Sequence, residues 1–133
     1  MEPAAAQRRQ RFAFLTLANY SLIAVSNAIE PLRMANRIAG QDAYEWSLFS
    51  MDGRPAKSSS GLELGPTLSL DKLGSPDILF VCGGVNVRDA VLPPLITTLR
   101  RLAERHVALG SLCTGGYALA RAGLLDNLQA TIH

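Results

Sequence analysis

Residues 107–123, VALGSLCTGGYALARAG, decide the fold. VALGSLC is an uncharged, apolar run of strand length, and TGGYALARAG is a helix that opens on small residues. A buried strand turning sharply into a helix belongs to parallel α/β sheets, and the residue at the turn is Cys113. Upstream, DILFVC (77–82) is a second continuous apolar run of the kind a central parallel strand shows, closed by the pair Gly83 and Gly84. The intervening PPLITTLRRLAERH reads as a helix begun by prolines, which a first turn tolerates.

The same alternation runs back to the amino end. RFAFLTL (11–17) reads as a first buried strand and YEWSLFSM (44–51) as a second, closed by the turn signal DGRP. Between them LIAVSNAIEPLRMANRIAG has helical spacing, with Ser21 as N-cap and Gly40 as the stop. Pro31 is expected to bend or divide that helix near Glu30, because proline lacks the amide hydrogen and crowds the preceding turn. The polar stretch after DGRP carries one short expected strand, GLEL, and the closing LQATIH is expected to begin another. Strands alternating with helices imply a mostly parallel sheet covered on both faces, with ligands received beyond the carboxyl ends of the strands.

Composition bounds the function. A chain of 133 residues, 48% hydrophobic and 18% charged, folds as one domain with a core. Residues 1–10 are expected as a flexible tail and 11–133 as the domain. A net charge of +2, with the basic residues concentrated in QRRQR and LRRLAERH, gives no broad face for phosphates, so this segment is not itself a nucleic-acid binder. No apolar run approaches the roughly 20 residues that span a bilayer. Two cysteines without metal-like spacing or an export signal fit free thiols in a cytoplasmic protein, and neither a metal nor a cofactor is expected.

Three features fall at the carboxyl rim of the expected sheet: Asn19 and Tyr20, Gly83 and Gly84, and Cys113 with Thr114. The partial positive charge of a helix N-terminus favours a thiolate there, and the amides of Thr114 and Gly84 can hold an oxyanion or a ligand carboxylate. Pattern alone leaves Cys113 open between a nucleophile and a small buried hydrophobe. Cys82, on the strand side of the glycine pair, reads as the latter, and His106 as a solvated helix end.

The segments FVCGG, GSLCTGGYALARAGLLDN and ATIH together resemble the PfpI-type branch of the class I glutamine amidotransferase-like superfamily. More narrowly, NYSLIAVSNAIEPLRMANRIAG, YEWSLFSMDGRPAKSSSGL and LFVCGGVNV resemble the sensor domain of GlxA-type AraC-family transcription regulators, particularly those answering carnitine or glycine betaine. The resemblance implies a flavodoxin-like three-layer sandwich, incomplete at its carboxyl end, in a fragment of a longer chain. It also implies a homodimer that senses a small metabolite and reaches DNA only through a helix-turn-helix domain not contained in these residues.

In catalytic relatives the elbow cysteine works with a histidine on the next strand and a carboxylate near the first. Cys113 matches the first and His133 the second. The third has no counterpart, since no Asp or Glu lies between Pro3 and Ile29. The sequence therefore favours a non-catalytic cradle of Asn19, Tyr20, Gly83, Gly84, Cys113 and Thr114, with Tyr20, Trp46 and Tyr117 as candidate faces for a cationic head. The alternative is a cysteine hydrolase, amidase or glyoxalase-like lyase using Cys113 and His133.

Overall fold

The computed structural model describes residues 8–131. Five strands form one sheet: β1 (Gln10–Thr16), β2 (Tyr44–Ser50), β3 (Thr67–Ser69), β4 (Ile78–Cys82) and β5 (Ala108–Leu112). Their order is β3-β2-β1-β4-β5, and every neighbouring pair is parallel. Helix α1 (Leu22–Ala39) links β1 to β2, while α2 (Val87–Ala90) and α3 (Pro93–Glu104) link β4 to β5, and α4 (Gly116–Arg121) follows β5.

Alternation along β1 sorts its side chains into two cores. Ala13, Leu15 and Leu17 join Leu79 and Val81 of β4 and Leu95, Leu99 and Leu102 of α3. Phe14 faces the other way, into a cluster with Val25 of α1, Leu48 and Cys82. Helices on both faces of a parallel sheet give the flavodoxin-like sandwich expected from the sequence. From β1 the chain winds one way through α1, and from β4 it winds the other way through α3. The reversal falls between β1 and β4, and it is beyond the carboxyl ends of the strands at such a point that sheets of this kind hold ligands.

Ser21 caps α1 as expected, its hydroxyl accepting from the Ala24 amide, and Gly40 ends it at φ 66°. Pro31 does not divide the helix, which is continuous over Leu22–Ala39. The carbonyl that loses its amide partner is that of Asn27, an exposed residue, so water can take it.

Two expected strands are corrected. GLEL forms only an isolated bridge between Glu63 and Lys57, because Ser58–Leu62 folds back on itself through the Ser58 amide to the Leu62 carbonyl at 2.8 Å. The strand in this region is β3, just beyond Pro66. At the other end, residues 128–131 form no strand: the chain leaves α4 in turns, with Asn127 at φ 61° and the Leu128 amide bonded back to Leu125. Of the segment expected as a tail, residues 8–10 belong to the folded unit. Arg8 pairs with Asp77, Arg9 lies 3.6 Å from Asp42, and Gln10 opens β1.

Candidate functional site

Cys113 stands where β5 stops, at φ 53°, followed by a single 3-10 turn that runs into α4. A non-glycine residue in the left-handed region costs about 1–3 kcal/mol and persists only where its surroundings hold it. Here the neighbours do so. The Thr114 hydroxyl donates to the Gly84 carbonyl at 2.7 Å, tying the elbow to the loop after β4. A Cβ on Gly115 would lie 2.0 Å from the Val81 carbonyl oxygen, and one on Gly83 would lie 2.6 Å from the Gly115 nitrogen. The glycines after β4 and after Cys113 are thus required by close approach of two backbones.

A second seam joins the β4 loop to the β1 loop. The Ser21 amide donates to the Gly83 carbonyl at 3.0 Å and the Val85 amide to the Asn19 carbonyl at 3.1 Å, forming the antiparallel bridge between Tyr20 and Gly84. The segment after β2 adds a third. Asn19 donates to the Lys57 carbonyl at 2.8 Å, and Ser59 donates to the Tyr20 carbonyl at 3.0 Å. Main-chain bonds therefore hold three rim loops against one another with the β1 loop in the middle, and the elbow is fastened to the β4 loop.

Asn19, Tyr20, Gly83, Gly84, Cys113 and Thr114 are brought together along these seams. Their exposures differ. Asn19 is open to solvent and Cys113 is half-buried, while Tyr20 is only 1% exposed. Its ring belongs to the α1-side core and offers no face to a ligand. The Tyr20 hydroxyl is buried with no hydrogen-bond partner, and desolvation raises its pKa above the usual phenol value.

The other two aromatic candidates are placed differently. Trp46 pairs in register with Phe12, near the start of β1, and so sits towards the opposite end of the sheet from the rim. Tyr117 carries the Arg88 guanidinium over its ring at 5.9 Å, which occupies that face. His133 lies outside the described residues. Both thiols are free. Cys82 is fully buried, and burial alone pushes its thiol far above the ordinary range, consistent with an inert core residue. Among the described residues no three His, Cys, Asp or Glu side chains gather as metal ligands, and no helix is long and apolar enough to cross a membrane.

Sequence reasoning passed over a concavity at the carboxyl ends of β1 and β2. It is lined by Asp52, Arg54, Lys57 and Asp89, together with apolar residues of the α3 entrance. DGRP signalled a turn, and nothing in its spacing showed that the turn would face Asp89 of α2.

Comparison with known proteins agrees with this architecture. The chain is 42% identical over 124 residues to the HTH-type transcriptional regulator GbdR of Pseudomonas aeruginosa, a match covering 93% of this chain and 34% of that protein. It is 40% identical over 126 residues to the HTH-type transcriptional regulator GlxA of Rhizobium meliloti, covering 93% of this chain and 39% of the relative. The chain thus spans little more than a third of the length of these curated relatives. Among solved structures, an AraC family transcriptional regulator from Pseudomonas putida superposes with a TM-score of 0.82 at 35% identity, over 93% of this chain and 66% of that one. The DJ-1/PfpI family profile matches residues 13–133. With that match over most of its length, the chain belongs to the DJ-1/PfpI family.

Proposed function

We propose that this chain is the ligand-sensing domain of an AraC-type transcription regulator of the cytoplasm. A small metabolite binds beyond the carboxyl ends of the strands and shifts the arrangement of a homodimer, and a separate helix-turn-helix domain contacts DNA. Similarity to regulators over 93% of the chain supports this reading. The observation that carries it is the chemistry of the elbow. Cys113 has a strained, half-buried corner of the sort a nucleophile occupies, yet the β1 loop packed beside it brings Asn19 and a buried Tyr20 and no carboxylate. A thiol without an acid to handle protons is a poor centre for turnover and an adequate wall for a pocket.

The sequence resemblance points to a quaternary ammonium acid such as carnitine or glycine betaine, and these belong among the first compounds to test. The expected result is a concentration-dependent rise in melting temperature with one member of a panel of betaines, amines, amino acids and organic acids, since a ligand that prefers the native state stabilises it by mass action. The strained corner also supports a second reading, a cysteine hydrolase or lyase. Burst release from an activated ester, lost in Cys113→Ser, would establish that reading in place of sensing.

A further inference from the structure

The concavity at the ends of β1 and β2 has a volume of about 450 Å³ and lies on the opposite side of β1 from β4 and the Cys113 elbow. Its floor is Thr16 and Leu17 of the β1 end and Ser50 of β2, with one wall from Asp52–Lys57 and the other from Asp89–Leu95. Thr16, Leu17, Ser50 and Leu95 are nearly fully buried, so the base of the cleft is shielded and mixes hydroxyl with apolar surface, while the rim is charged.

The rim carries two carboxylates, Asp52 and Asp89, and two cations, Arg54 and Lys57. The ion pairs among the described residues use Arg8, Arg9, Arg11 and Arg33, and none of these four rim residues. Arg54 helps the hydrogen bonds lower the Asp52 carboxyl, but among the described residues none of the four rim charges is closed into a direct ion pair. The Asp52 carboxylate is also fixed in place. One of its oxygens accepts from the Ser50 hydroxyl at 3.0 Å and from the Arg54 amide at 2.9 Å, and its other oxygen is left for a further donor.

A simple anion or cation satisfies one pair and meets repulsion from the other, whereas a molecule carrying both charges satisfies both. The volume suits a ligand towards the small end of the usual range of roughly 300–1,000 Å³. No aromatic ring lines the cleft, so a cationic head meets carboxylates, which favours N–H donors over a permethylated nitrogen that depends on ring faces.

We propose that this cleft binds a free amino acid or an amino-acid-sized zwitterion, with its ammonium group on Asp52 and Asp89 and its carboxylate on Arg54 and Lys57. The proposal rests on the sensing reading above and places the ligand at the ends of β1 and β2, in a cleft that Cys113 does not line.

The test is isothermal titration of the chain with the proteinogenic amino acids, 4-aminobutyrate and glycine betaine, with acetate and methylammonium as single-charge controls. Expected is saturable binding of at least one primary-amine zwitterion and none of either control. Affinity should fall tenfold or more in Asp89→Asn and in the double variant Arg54→Gln/Lys57→Gln, and should be unchanged in Cys113→Ser. The altered rim side chains are exposed and Cys113→Ser is nearly isosteric at a half-buried position, so the fold should survive, and an unchanged urea midpoint verifies this. If an amino acid binds but only Cys113→Ser weakens it, or if glycine betaine binds and the rim variants do not matter, the cleft is refuted while sensing stands. Binding of no zwitterion at all also refutes the cleft, and the wider melting panel then judges sensing on its own.

Discussion

Replacing Gly84 with alanine tests the seam that joins the β1 and β4 loops. A Cβ there would lie 2.1 Å from the Asn19 carbonyl oxygen and 2.8 Å from the Ser21 nitrogen, and both are main-chain atoms that cannot swing aside. Gly84 is not among the residues at positive φ, so the effect is steric and not one of backbone strain. To reach ordinary contact the two loops must part by about 1 Å, enough to break the bonds from Ser21 to Gly83 and from Val85 to Asn19. Two hydrogen bonds at about 1 kcal/mol each, with about 1–3 kcal/mol for overpacking, give an expected loss of about 3–5 kcal/mol. At a urea slope of about 2 kcal/mol/M the midpoint falls by about 2 M. Unfolding followed by circular dichroism and by the fluorescence of Trp46, the single tryptophan, measures it directly. Gly40→Ala is the control: at φ 66° with nothing within 4 Å it carries strain alone, about 1–2 kcal/mol. A Gly84→Ala loss no larger than that of Gly40→Ala would refute the close packing of the loops.

Three further substitutions probe other links. Tyr20→Phe removes a buried hydroxyl that has no partner, so stability should stay level or rise by about 1 kcal/mol in the same urea assay, and a clear loss would reveal a bonded hydroxyl. Thr114→Val keeps the shape of the elbow but deletes its bond to Gly84, and is expected to cost about 1 kcal/mol and to speed alkylation of Cys113 in the native state. Asp77 accepts from the Arg11 amide and pairs with Arg8, which holds its carboxyl below the ordinary value. A depressed folded pKa adds stability above the unfolded carboxylate range and loses it as pH falls through the folded value, so Asp77→Asn should flatten the fall in stability below about pH 4.

The sheet was legible wherever a strand is buried on both faces, because DILFVC and VALGSLC leave no polar position to confuse the period. The elbow was legible for a related reason: only small residues survive where Gly83 and Gly115 press together, so the glycines report the contact. GLEL misled because its apolar positions suit a strand while the preceding Ser58–Gly61 turn consumes its neighbours' hydrogen bonds locally. Aromatic type and count say nothing of direction. Trp46 lies on a rim-bound strand but at its far end, and Tyr117 had already been claimed by Arg88. The charged cleft was unreadable because Arg54 and Asp89 are brought together by the crossing of separate crossovers, which no local pattern encodes.

The seams around the elbow are made almost wholly of peptide groups, with Thr114 the one side chain that takes part. A frame of that kind is indifferent to what its residues display outward. Val85 projects from it into solvent and can be exchanged without loosening a single one of these bonds, while Asn19 and Asn86, at φ 63° and 56°, can be exchanged for residues that tolerate the left-handed region. Such a scaffold is suited to evolutionary reuse, in which selection rewrites the chemistry at the mouth of the sheet while the underlying joinery is inherited intact.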